Sequence, residues 1–301
     1  MSKSFSKQDV ANAFKVIQDS ICSGLEECDG QAKFITDEWN HETGGGGRSR
    51  VIQQGNVFEK GGVNFSAVEG KLPDFMKYHT KPESTEFFAT GVSIVIHPSS
   101  PMVPIIHMNI RYFETNVGDV WFGGGIDLTP IYVNRNQASQ FHRTLKETCD
   151  QFDSSYYPQF KAEADDYFFI KHRNETRGIG GIFYDYLMPG ENHSADHLFE
   201  FSQAVGNTFL KAYLPIANAN KALSFTEEHK NWQLLRRGRY VEFNLVYDRG
   251  TKFGLETGGR TESILMSLPE HVSWLYNHKP VDGSAEEQTL LLLKKGINWI
   301  E

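Results

Sequence analysis

The sequence has 3 cysteines, Cys22, Cys28 and Cys149, an odd number without C-x-x-C spacing. That argues against a disulfide framework or a thiolate metal knuckle and fits reduced thiols in a cytoplasmic protein. No apolar run approaches the roughly 18 residues of a membrane span, so none is expected. The opening Met-Ser-Lys-Ser-Phe-Ser-Lys lacks the apolar stretch of a secretory signal. Basic residues are outnumbered, 30 Lys and Arg against 38 Asp and Glu, for a net charge of −8. A nucleic-acid partner needs a basic footprint and is not expected. An anionic ligand would have to be drawn in by local arginines. There is no dinucleotide fingerprint, and the four-glycine run at 44–47 lacks the Lys-Ser/Thr ending of a phosphate loop.

What is present is an ordinary globular mixture, 39% hydrophobic and 23% charged, with 22 Phe and 12 Tyr. Val10, Phe14, Ile17, Ile21 and Leu25 recur at helical spacing, which predicts a helix over 7–28 capped by Ser6 and Asp9. A short helix is expected at 30–40. The run Thr43-Gly44-Gly45-Gly46-Gly47-Arg48-Ser49-Arg50 reads as irregular chain, either a connector or a loop whose amides and arginines meet carboxylates. Strand patterns fill 87–132. Gly91–His97 is β-branched, and 105–114 alternates so that His107, Asn109, Arg111 and Phe113 share one face. Val120–Phe122 runs into three glycines and Asp127. Helices are predicted at 134–150, 153–166, 195–213, about 226–236 and 261–267, with a last one capped by Ser284 and Glu287. Short strands are predicted at 167–170 and 181–184. Arg239–Tyr247 alternates like a strand, with a turn at 248–250 and a hairpin partner over 251–257. Strand groups with helices between them predict one α+β domain spanning 1–301, with a large, mainly antiparallel sheet sandwiched between helices.

Two arrangements can carry chemistry. Arg111 offers a fork for a carboxylate, and Asp127 follows three glycines that would let a flat ligand lie close. The same two side chains could instead brace neighbouring strands as an ion pair. Gly258-Gly259-Arg260 precedes a helix start and repeats the pattern of free amides beside an arginine. Several separate arginine sites suit a ligand with several carboxylates. His97, His107, His142 and His172 are each open to metal binding, acid–base work or a plain structural role, and no short-spaced pair fixes a geometry. Of the four, His107 shares its face with Asn109 and Arg111 and is the best candidate for proton transfer.

Taken together, the segments GGGGRSRV (44–51), EKGGVNFS (59–66), GVSIVIHP (91–98), HMNIRYFE (107–114), WFGGGIDLTP (121–130), KHRNETRGIGGIF (171–183) and the long RGRYVEFNLVYDRGTKFGLETGGRTESILMSLP (237–269) resemble the oxygen-dependent coproporphyrinogen III oxidases. The resemblance covers nearly the whole chain. It implies a homodimer with contacts through about 240–275, and a porphyrinogen substrate held between sheet and helices. The reaction implied converts the ring A and B propionates of coproporphyrinogen III to vinyls, with O2 as co-substrate and protoporphyrinogen IX as product. It carries substrate contacts to Ser93, to Asn109, Ile110 and Arg111, and to Gly258, Gly259 and Arg260. It carries a proton donor to His107, and the metal positions of some members to His97, His107, His142 and His172. Departures are Val120 in place of a second Trp, Tyr186 where two acids are usual, and Ala162-Glu163-Ala164 in place of a basic-aromatic-cysteine stretch. An electron-rich substrate can itself deliver electrons to O2. No organic cofactor is therefore expected, and a divalent metal, if bound, is not expected to be essential. Mechanistically, Asp127 is expected to take a pyrrole N–H proton or to stabilise the resulting cation character of the ring, while Arg111 holds the departing carboxylate. Two other classes remain open on the residues alone, a tetrapyrrole carrier without chemistry and a metal enzyme built on the histidines.

Overall fold

The computed structural model describes residues 3–42, 44–256 and 259–300. Thr43, at the start of the glycine run, Thr257, expected at the end of a hairpin strand, and Gly258, expected before a helix start, lie outside the described residues. The chain opens with helix α1 (Lys7–Asp29), where Ser6 and Asp9 form the expected capping box. Six strands follow in an antiparallel meander: β1 (Ile35–Asn40), β2 (Gly45–Gln53), β3 (Phe58–Lys71), β4 (Glu86–Pro98), β5 (Ile105–Thr115) and β6 (Val120–Thr129). Helices α2 (Arg135–Asp150) and α3 (Tyr156–Tyr167) then lead to a two-residue hairpin, β7 (Phe169–Ile170) and β8 (Glu175–Thr176). Strand β9 (Gly180–Leu187) returns to pair with β6, closing a seven-stranded sheet of order β1-β2-β3-β4-β5-β6-β9. The remainder is helical: α4 (Ala195–Asn220), α5 (Glu227–Val246), α6 (Arg249–Glu256), α7 (Thr261–Leu265) and α8 (Ala285–Leu292). None of the described helices is long and apolar enough to cross a membrane.

The α+β expectation holds, and the period-2 reading of β5 explains how the sheet is covered. Ile106, Met108 and Ile110 are fully buried on one face, under α1 and α4. The apolar stripe of α1 supplies Val10, Phe14 and Leu25 to the same core. Truncating a residue there would cost about 2–5 kcal/mol. The other face of β5 carries the polar residues and is covered only in part, by α5 and the segments after it.

Three local expectations need correction. Residues 35–40 form a strand, not a helix, and the glycine run is its partner rather than irregular chain. A Cβ at Gly46 would lie 2.2 Å from the Trp39 carbonyl oxygen, and one at Gly47 would lie 2.2 Å from the Trp39 ring. Glycine usually weakens a strand, but here it lets the indole lie flat across the sheet. Second, 239–247 belongs to α5. The stretch continues the helix begun at Glu227, with Tyr240 and Phe243 extending the stripe of Trp232 and Arg236, and all four are buried. Third, no hairpin follows. Asp248 accepts from the Thr251 amide at 2.7 Å, so it caps α6 instead of turning a strand.

Candidate active site

Strand register arranges the polar face into three cross-strand rows. The first is Val51, Gly62, Val95, His107, Asp127 and Gly181. The second is Asp37, Ser49, Asn64, Ser93, Asn109, Gly125 and Phe183. The third is Trp39, Gly47, Ser66, Gly91, Arg111 and Gly123. The middle of this face is therefore a floor of glycine, serine and asparagine, too low to block a flat ligand.

The first row is closed over by α5 and α7. A Cβ at Gly62 would lie 2.4 Å from the Met266 sulfur, so glycine is what lets the segment after α7 settle onto the sheet. Tyr240 of α5 meets His97 edge-on at 5.1 Å. Under this cover Asp127 is 1% exposed and accepts from His107 Nδ1 at 2.8 Å. Its second partner is Arg177, whose Nη2 donates at 2.7 Å and Nε at 3.3 Å. Burial pushes the Asp127 carboxyl upward, but the Arg177 charge and the His107 bond outweigh it and hold the group below its usual range. Arg177 also donates to Asn244 Oδ1 at 2.9 Å, and its guanidinium packs on the rings of Phe168, Tyr240 and Phe243. The β7–β8 hairpin delivers it there, with the Arg177 amide bonded to the Phe168 carbonyl.

Asp127 and Arg111 are therefore not partners. Arg111 lies in the third row, over Gly123, where a Cβ would come within 2.5 Å of its Nε. It pairs with Asp185 at 2.7 Å and donates to Asn109 Oδ1 at 3.2 Å. His107 stands between the buried Asp127 and the open floor. Its Nδ1 is engaged, and no partner among the described residues meets Nε2. A histidine held by a carboxylate in this way has a fixed tautomer and one nitrogen left for proton transfer.

Ser93 and Asn109 sit side by side on the floor as expected. Ile110 does not join them; its side chain is fully buried in the opposite core, and only its backbone belongs to β5 here. Gly259 and Arg260 lie near the β1 edge, where Arg260 contacts Asp37. About four strand spacings, near 19 Å, separate that edge from β5. Gly258 lies outside the described residues. The floor is thus bounded by Arg111 on one side and Arg260 on the other.

The four histidines do not converge. His97 donates Nε2 to the Ser267 carbonyl at 2.8 Å, and burial lowers its pKa to about 3. His142 is buried on α2, bonded to Tyr157 Oη and the Ile179 carbonyl, and lowered by burial to about 3. His172 lies outside α5 against Tyr247 and Glu242. These positions do not fit one shared metal. Among the described residues the one convergent set is Glu59, Glu270 and His271, and Glu59 there is already paired with Arg237 and Lys230. Sequence reasoning missed Arg177, Asp185 and Arg249. Their links to the site span dozens of residues, and only strand register brings them in.

The family model for coproporphyrinogen III oxidase matches residues 9–299. The chain is 49% identical to coproporphyrinogen-III oxidase 1, chloroplastic, of Arabidopsis thaliana, over 95% of this chain and 77% of that protein. It is 45% identical to the oxygen-dependent coproporphyrinogen-III oxidase of Prochlorococcus marinus (strain MIT 9312), over 98% and 93%. It is 48% identical to the oxygen-dependent chloroplastic enzyme of Nicotiana tabacum, over 94% and 75%. The chain belongs to the oxygen-dependent coproporphyrinogen III oxidase family.

Proposed function

We infer that the polar sheet face is where this chain oxidises coproporphyrinogen III with O2, the activity of its family in tetrapyrrole synthesis. The observation that carries this reading is a low floor with an arginine on each side and a His–Asp pair beside it. The macrocycle, its four pyrroles joined by saturated bridges, rests over Ser93, Ser66 and Gly91. Arg111 takes the propionate that reacts, and Arg260 takes one on the far side.

Chemically, one ring A or B side chain, –CH2–CH2–COO⁻, becomes –CH=CH2. It loses its carboxyl as CO2, one methylene proton and two electrons. O2 takes the electrons with two protons and leaves as hydrogen peroxide; the second propionate repeats the step to give protoporphyrinogen IX. The electrons leave through the pyrrole, which is easier to oxidise once its N–H proton is withdrawn. A carboxylate clamped by Arg177 is a weak base, so that proton goes to His107 Nε2 and not to Asp127. Asp127 holds the tautomer and stabilises the imidazolium. Arg111 fixes the departing carboxylate so that the breaking bond stays aligned with the ring.

No organic cofactor enters this scheme, and the dispersed histidines argue that chelated enzyme keeps substantial activity. Near-complete loss on chelation, restored by one divalent ion, would contradict that. A homodimer is proposed through about 240–275. The support is the run of exposed apolar side chains Leu245, Val246, Leu255, Trp274 and Leu275. The three cysteines are unpaired, which fits the expected cytoplasmic setting. Coproporphyrinogen III supplied with air should give matched O2 uptake and CO2 release, and neither without O2. Binding without O2 uptake would make the chain a carrier.

A further inference from the structure

Arg111 already faces a carboxylate, and the strand that supplies it is distorted to do so. Between Phe122 and Gly124 of β6 the register with β9 slips, so that Asp185 and Tyr186 together oppose Gly123. This is a β-bulge, a device that re-aims a side chain. Tyr186 sits at φ +50°, unusual for a residue with a Cβ. It is held there by stacking on His79 at 4.5 Å and by Trp121 at 5.5 Å. Its amide donates to Asp185 Oδ1 at 3.0 Å. A strained residue persists only where its surroundings fix it, and here they fix where Asp185 points.

Asp185 points between two arginines. Its Oδ1 is 2.7 Å from Arg111 Nη2, and its Oδ2 is 3.5 Å from Arg249 Nη2. Arg249, at the start of α6, packs its guanidinium over the Tyr167 ring at 4.9 Å. Two arginines and one aspartate leave a net charge of +1, which matches a single further carboxylate. All three side chains are partly open to solvent, so an arriving carboxylate can reach the group.

We propose that Asp185 is a resident carboxylate that stands in for a substrate propionate between Arg111 and Arg249 and sets how tightly that propionate is held. With both forks partly satisfied, the cluster binds the reacting propionate firmly enough to orient it and loosely enough that one propionate can exchange for another. Asp185 is a positioning residue in this account, acting through the two arginines. The inference rests on Arg111 being the propionate contact, as read above.

The test compares wild type, Asp185→Asn and Arg111→Gln. The measurements are the Kd for oxidised coproporphyrin III, a flat tetracarboxylate that does not react, and steady-state turnover of coproporphyrinogen III. Asp185→Asn should bind the porphyrin about three- to tenfold tighter at low salt, with KM falling alongside. The gain should shrink in about 1 M salt, where screening shortens to about 3 Å. General damage to the site would weaken binding, so tightening distinguishes the two. Unchanged or weaker binding in Asp185→Asn, with Arg111→Gln still weakened, would overturn the role of Asp185 alone. Wild-type affinity and turnover in Arg111→Gln would overturn the reading of Arg111 and the proposal with it.

Discussion

Asp127 and Arg177 bury opposite charges within 2.7 Å, and neither is meant to be alone. Removing one partner of such a pair costs about 3–5 kcal/mol, because the other stays buried without compensation. Asp127→Asn should therefore lose stability as well as turnover, since it also releases His107 from its tautomer. His107→Ala should behave differently, losing turnover with little loss of stability, because that ring reaches the open floor. Urea unfolding alongside kcat separates the two variants, and a fully stable, fully active Asp127→Asn would remove the dyad from the account. The face shared by His107, Asn109 and Arg111 was legible from alternation alone. The partner of Asp127 was not, because Arg177 is fifty positions away in another hairpin and nothing local marks it. The alternative of an Arg111–Asp127 ion pair fails for the same reason: the two lie on one face but in different rows.

Among the elements, those whose propensity and burial agree were read correctly. Helix α1 has its cap and a clean apolar stripe, and β4 and β5 have β-branched or alternating patterns. The β1–β2 hairpin and α5 were misread because tertiary contact overrides local signal. Glycines in β2 serve the Trp39 ring, and the apolar residues of 240–247 satisfy a period of 2 and of 3.6 equally well. Two elements also carry a pH dependence. His97 on β4 and His142 on α2 have folded pKa values near 3, lowered mainly by burial. Above about pH 6.5 both are neutral whether folded or not, and their contribution is intact. As pH falls below that value the unfolded chain takes up protons that the folded chain refuses. Stability should then drop by about 1.4 kcal/mol per pH unit for each histidine until about pH 3. Urea midpoints from about pH 7 to pH 5 should fall, and less steeply in His142→Gln. A flat profile would contradict the burial argument.

For the whole molecule, composition placed the chain among globular proteins, the grouping of strands and helices gave α+β, and the quoted segments carried the family. Composition could not show how the sheet is divided, with one face a sealed core and the other a floor. That division comes from two-residue alternation repeated across neighbouring strands in register. The exposed apolar side chains of 245–275 should be covered by a second copy. Sedimentation at micromolar concentration should give a dimer, and an active monomer would contradict it. If coproporphyrinogen III is oxidised on the polar floor, as proposed, it reacts beside Ser93, which lies near the middle of that floor. The most direct test is kcat/KM of Ser93→Trp in air, with its thermal midpoint measured in parallel. The bulky ring should fill the floor and lower kcat/KM by roughly a hundredfold, about 2.7 kcal/mol of transition-state binding, while the midpoint stays near wild type. Near wild-type kcat/KM would mean that the reaction takes place elsewhere.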